Sequence, residues 1–250
     1  MSLAPLLDDP ARVSELRALI ARKAALRDWY AQAYACFARA VAASSARGAV
    51  LELGSGAGFL KELLPEAVTS DALAYEGMDK VVDALALPYG ASQLKALLLL
   101  NVLHHLPDPE GLFSEAVRCL APGGVLVIVD QHPGWLGRWL FKLAHHEPFD
   151  DQAQSWASPA QGRLGGANGA LAWMVFVRDR SRFERLYPEL ELESYRPCSP
   201  LQYWLSGGLK AWTLAPAWSL PLLHLLERSL LSLSPQWGCF VQITLRRRGR

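Results

Sequence analysis

From Ala49 onward, short apolar runs alternate with amphipathic stretches. Val50–Leu53 has strand character, and Phe59–Leu64 after it is helix-like until Pro65 stops it. Ala67–Ser70 predicts a second strand with Asp71 at its end, and Lys80–Val82 a short third one leading into Asp83. Leu94–Val102 is an almost unbroken apolar run, the pattern of a strand buried on both faces. Pro107–Leu120 predicts an amphipathic helix, with Asp108 and Glu110 suited to its first turn. Pro122-Gly123-Gly124 reads as a turn and Val125–Val129 as another buried strand. This succession predicts an α/β fold, a mostly parallel sheet with helices on both faces. Asp71 and Asp83 lie too close for a helical crossover of about a dozen residues or more, so a coil link is expected there.

The flanks read differently. Residues 10–46 carry apolar positions at helical spacing, among them Val13, Leu16, Ile20, Trp29, Ala33 and Phe37. They predict one or two helices, so that 1–48 forms a helical lid ahead of the domain 49–250. Beyond residue 130 lie eight of the nine tryptophans, a count that marks a change of character. Residues 134–146 predict a helix, 150–170 a loop, Arg180–Leu186 a helix and Leu190–Tyr195 a strand. Residues 200–235 form an apolar insertion, and Cys239–Leu245 is the last strand. The stretches 131–178 and 197–237 are read as insertions building a substrate cap at the carboxyl edge of the sheet, where open α/β folds bind ligands.

Composition narrows the class. A chain of 250 residues, 51% hydrophobic and with a net charge of +1, supports a large core and argues against disorder or a nucleic-acid coat. Cys36, Cys119, Cys198 and Cys239 are far apart and form no C-x-x-C pair, so free thiols in a reducing compartment are expected. Met1–Asp9 lacks the apolar core of a secretory leader, and no run reaches the roughly 18 apolar residues of a spanning helix. A cytoplasmic location follows as the expectation.

The chemistry concentrates where the first strand turns. Glu52-Leu53-Gly54-Ser55-Gly56-Ala57-Gly58 places an acid and three alternating glycines at a strand end. Glycine tolerates positive φ and lets a ligand lie against bare backbone. A following helix would add unpaired N–H groups. The spacing is neither the G-x-G-x-x-G of dinucleotide folds nor a phosphate-gripping P-loop.

E-x-G-x-G-x-G after an apolar strand resembles motif I of the class I S-adenosylmethionine-dependent methyltransferases. Asp83-Ala84-Leu85-Ala86-Leu87-Pro88-Tyr89, Asn101-Val102-Leu103-His104-His105-Leu106 and Ala121-Pro122-Gly123-Gly124 resemble further segments of small-molecule members. The resemblance implies a Rossmann-like, seven-stranded sheet with an antiparallel last strand. It implies S-adenosylmethionine as cofactor, its methionine part admitted by Gly54, Ser55, Gly56 and Gly58 and its amino group held by Glu52. Asp71 would take the ribose hydroxyls. Asp83, Ala84 and Leu85 would meet the adenine, and Asn101 would border the cofactor.

A hydroxyl or carboxyl acceptor calls for a base, and histidine is the usual one. The candidates are His104, His105, His132 and the pair His145, His146 with Glu147. His104 and His132 are preferred because strand carboxyl ends place them near the cofactor. No third ligand stands at metal spacing from His104 and His105, so no metal is expected. Asn168 is a cap contact or a simple turn residue. Leu214–Leu226 is strongly apolar. Core packing is its simplest role, with an apolar-substrate pocket or peripheral membrane contact as alternatives. The expected function is methyl transfer to a small-molecule or lipid- or sugar-linked acceptor, most simply at oxygen, with no nucleic-acid partner. A non-catalytic binding or scaffold subunit and an NAD-dependent oxidoreductase are the rivals.

Overall fold

A computed structural model describes residues 12–144, 148–158 and 167–249. Seven strands form one sheet: β1 Ala49–Leu53, β2 Val68–Asp71, β3 Lys80–Val81, β4 Leu94–Leu100, β5 Leu120–Gln131, β6 Leu190–Cys198 and β7 Phe240–Arg247. Their order across the sheet is β3-β2-β1-β4-β5-β7-β6. β7 runs antiparallel to both of its neighbours, and the remaining pairs are parallel. The Rossmann-like sheet with an antiparallel last strand is therefore as expected.

Strand periodicity divides the core in two. Leu51, Leu53, Leu97, Leu99, Leu126 and Ile128 point to one face. Val50, Ala96, Leu98, Val125, Val127 and Val129 point to the other, as the two-residue period of a strand requires. The first face is covered by helix α3 (Pro109–Cys119), a widened π-helical turn (Met174–Arg178) and the helix after it, α5 (Arg180–Leu186). Asp108 caps α3 by accepting from the Gly111 N–H at 3.0 Å. On the second face lie α2 (Ala24–Ala43), which α1 (Val13–Arg22) precedes, and α4 (Trp135–Ala144).

Three local expectations are corrected. Phe59–Leu64 is not a helix: only a 3-10 turn, Leu60–Glu62, forms. Leu60 and Leu64 are drawn into the core beside Phe37 and Val41 of α2, which already covers that face. The loop after β1 therefore has no helix N-terminus behind it. Pro122-Gly123-Gly124 does not end one element and start another. It is an excursion inside β5, whose pairing jumps from Leu94↔Leu120 to Ala96↔Val125. Gly123, at φ +79°, carries that bend. The segment Leu214–Leu226 is not core either: of it, only Ala215 and Leu223 are buried. The link from Asp71 to Lys80 is a coil without helix, as the short spacing demands.

The insertion near the carboxyl edge is helical. It comprises α6 (Gln202–Ser206), a 3-10 turn (Ala217–Ser219), α7 (Leu220–Leu233) and a second 3-10 turn (Pro235–Trp237). Among the described residues, no helix is long and apolar enough to cross a membrane.

Candidate active site

A cavity of about 630 Å3 opens along the carboxyl ends of β1, β2, β4 and β5. Its size is that of a small-molecule site. One end is the loop after β1. Gly54 and Gly56 take φ of +66° and +48°, which side chains disfavour. A Cβ on Gly54 would stand 2.3 Å from Val102 Cγ2. The Ser55 N–H donates to Ser70 O at 2.8 Å, and Ser55 Oγ accepts from the Ser70 N–H at 3.1 Å. These bonds tie the loop to β2. Gly58 does not line the cavity. It packs against Tyr34, whose Oη would lie 2.0 Å from an added Cβ.

Two carboxyls face this end. Glu52 is buried, and its Oε2 has no hydrogen-bond partner among the described residues. Burial pushes its pKa up to about 7, with the Asp71 charge adding to the rise and a Ser55 hydrogen bond opposing it. Asp71 Oδ2 accepts from the Gly56 N–H at 3.2 Å and Oδ1 from the Leu73 N–H at 3.4 Å. Burial raises its pKa, and these backbone donors restrain the rise. Asp83 is exposed at the rim, where Oδ1 accepts from the Leu85 N–H at 2.9 Å. Ala84 and Leu85 line the wall beside it. Asn101, at φ +55°, ends β4, and its Oδ1 is buried without a partner among the described residues.

His104, on the cavity wall, belongs to a dyad. His104 sits in a 3-10 turn after β4 and Asp130 near the end of β5, both buried. His104 Nδ1 lies 2.5 Å from Asp130 Oδ1, and Asp130 Oδ2 accepts from the His104 backbone N–H at 3.3 Å. Because a carboxylate accepts, Nδ1 carries the ring proton and Nε2 is the basic nitrogen. Gln131 Nε2 stands 3.4 Å from it. The His105 ring rests against His104 at 4.0 Å and also lines the cavity.

His132 lies elsewhere. It is buried with Nδ1 2.8 Å from Tyr195 Oη and does not line the cavity. Burial pushes its pKa down to about 4, so it stays neutral near pH 7. The strand turns it toward β6, one residue past the cavity-lining Gln131. Asn168 is a turn residue: its Oδ1 accepts from the Asp150 and Ala170 N–H groups, each at 3.0 Å. His145, His146 and Glu147 lie outside the described residues.

Sequence reasoning missed Asp130, although it is an acid closing an apolar strand, the same signal that marked Glu52 and Asp71. It also missed the aromatic wall of Tyr30, Tyr203, Trp204, Trp212 and Phe240. Lys23 was missed as well. It is buried between α1 and α2 and donates to Gly208 O at 2.6 Å and Lys210 O at 3.0 Å, in the loop that closes the cavity.

A family model described as a methyltransferase domain matches residues 22–175. The chain belongs to this methyltransferase family, and its cofactor is S-adenosylmethionine. Similar folds occur in three solved structures. One is a Haloferax volcanii protein in complex with the Trm112 methyltransferase activator, at 12% identity and a TM-score of 0.53 over 96% of this chain and 97% of that one. Another is the geranyl diphosphate C-methyltransferase of Streptomyces coelicolor A3(2), at 16% identity and 0.52 over 97% and 86%. The third is an S-adenosylmethionine-dependent methyltransferase of Thermotoga maritima, at 16% identity and 0.50 over 96% and 98%. No curated protein matches the chain.

Proposed function

We propose that this methyltransferase acts on a hydroxyl of a small-molecule or lipid- or sugar-linked acceptor, with His104 as the base. The observation that carries the reading is the 2.5 Å contact between His104 Nδ1 and Asp130 on the wall of the cofactor cavity. S-adenosylmethionine, when bound, supplies an activated methyl group. The residues suit it: Glu52 offers an unsatisfied buried acceptor to an ammonium, and the bare backbone of Gly54, Ser55 and Gly56 admits close approach. Asp71 offers a carboxylate to paired hydroxyls, while Asp83, Ala84, Leu85 and Asn101 border the remainder. Gly58 serves by making room for Tyr34. His132 has no part in this site.

His104 Nε2 takes the proton of the acceptor hydroxyl as its oxygen becomes the nucleophile, and Asp130 steadies the resulting imidazolium. The aromatic wall suits an acceptor with an apolar body and excludes water from it. In this reading α1, whose Val13 and Leu16 line the cavity, is part of a helical lid, with α2 packed on the sheet behind it. Residues 1–48 then cover a domain of 49–250, with caps at about 131–178 and 197–237. The four unpaired cysteines support a cytoplasmic setting.

The test is turnover of methyl-labelled S-adenosylmethionine against a panel of hydroxylated amphiphiles, with the label located by mass spectrometry. Label on oxygen, lost in His104→Ala, is expected. Label on carbon or nitrogen would overturn the oxygen assignment. Binding without turnover of any acceptor would favour a scaffold role.

A further inference from the structure

Helix α7 is inverted relative to a helix facing water. Two of its polar side chains turn inward: Glu227 is buried, with Oε1 accepting from the Leu201 and Gln202 N–H groups at 2.8 and 2.7 Å. His224 Nε2 meets Asp28 of α2 at 2.8 Å. Four of its leucines turn outward, while Leu223 is buried. Leu222, Leu225, Leu226 and Leu233 recur at helical spacing on the exposed side, continuing from Trp218 one turn earlier. Trp218, Leu214 and Leu222 are 80%, 70% and 67% exposed. That is a contiguous apolar face, which water does not favour.

Three observations indicate what covers it. The hydroxyls on this side are already engaged: Ser219 donates to Pro216 O at 2.7 Å, Ser229 to Leu225 O at 2.9 Å and Ser232 to Ser229 O at 2.8 Å. The serine protons on this face are thus satisfied within the chain, and a hydrocarbon surface would strip no partner from them. From residue 201 to the end of the chain Glu227 is the only acid, and it is buried, while Lys210 and Arg228 are exposed. Trp212 and Trp218 stand at the approach to α7, and tryptophan suits a boundary between hydrocarbon and water. At 14 residues α7 spans about 21 Å, too short to cross a bilayer of about 30 Å and suited to lying on one.

We propose that the outward face of Trp218 and α7 seats on a lipid surface, with Lys210 and Arg228 toward anionic headgroups. Trp212, six residues before Trp218 in the chain, is exposed and also lines the cavity. Entry of a lipid-embedded acceptor past Trp212 rests on the proposed methyl transfer; the lipid contact itself does not.

The test is co-sedimentation of the full chain with phosphatidylcholine vesicles, with and without phosphatidylglycerol, alongside quenching of tryptophan fluorescence by brominated lipid. Binding is expected to both, more strongly to the anionic vesicles. L222S/L225S/L226S should weaken it at least roughly tenfold, whereas Leu186→Ser, exposed on α5, should leave it unchanged. S-adenosylhomocysteine binding, measured separately, shows that the triple variant is folded. Its absence from the wild type would sink the cofactor reading and leave the lipid contact standing. Vesicle binding that is absent from the wild type, or unaffected by the triple change, overturns the proposal. So does a dimer in sedimentation velocity that the triple change dissolves while vesicles are ignored.

Discussion

Asp130 holds His104 Nδ1 at 2.5 Å, and the two residues reach each other from β5 and from the turn that follows its neighbour β4. The pairing fixes both the ring and its proton. His104→Ala is expected to lower kcat by about 10²–10⁴, the usual contribution of a positioned acid or base. Binding of S-adenosylhomocysteine should stay near wild type. Steady-state kinetics and calorimetry on the same preparation check both halves.

Gly54 permits no side chain, because an added Cβ would strike Val102 Cγ2 and the backbone lies at φ +66°. Gly54→Ala should cost about 1–3 kcal/mol of S-adenosylhomocysteine binding, the range for overpacking. Val102→Ala removes the struck methyl and should restore part of the loss. Gly56 differs: only Gly54 O comes within 4 Å of an added Cβ, at 3.9 Å. Gly56→Val should abolish binding by filling the cavity, with thermal stability falling only as far as its φ demands.

Asp71→Ala removes the acceptor shared by the Gly56 and Leu73 N–H groups. Equilibrium titration should show S-adenosylhomocysteine binding weakened by about 1–3 kcal/mol, the range for losing hydrogen bonds to a charged group.

Glu52 sets a pH dependence. Its pKa near 7 exceeds the ordinary 4.5, so the native chain keeps a proton that the unfolded chain has shed. Between those two values this residue lowers stability as pH rises. A bound ammonium reverses the preference by favouring the carboxylate. S-adenosylhomocysteine affinity should therefore weaken as pH falls below about 7, and Glu52→Gln should flatten that trend. Titration across pH, with proton release followed in two buffers, decides it.

Lys23→Met would orphan the buried Gly208 carbonyl and release the part-buried Lys210 carbonyl. A stability loss of about 1–3 kcal/mol is expected in urea unfolding. Burial pushes the Lys23 pKa down to about 8 from 10.5, so in the wild type its contribution rises with pH between those values. Lys23→Met should erase that slope.

The strands and the cofactor end of the site were legible because they are local. An apolar run ending in an acid or glycines marks the chain at β1 and β2, and an unbroken apolar run marks β4, without reference to anything distant. The dyad was half legible: His104 stood out, but its partner lies 26 positions away. Only β4–β5 pairing brings them together. His132 was misjudged because strand alternation, rather than nearness in sequence, decides which side a residue faces. For Leu214–Leu226 hydropathy leaves core packing, an apolar pocket and a membrane contact all open, since it carries no direction. It is Glu227, drawn inward by two backbone N–H groups, that turns the leucines out.

Helix α2 meets a sheet that is finished late. The Trp29 ring lies 4.9 Å from Phe240, at the start of the final strand. Emerging from a ribosome, this helix finds cover in stages: its Phe37 and Val41 share a core with residues of β1 and β4, whereas Trp29 waits for Phe240. Such sequence-distant pairing slows folding, and it leaves the Trp29 end of the helix without its partner longest.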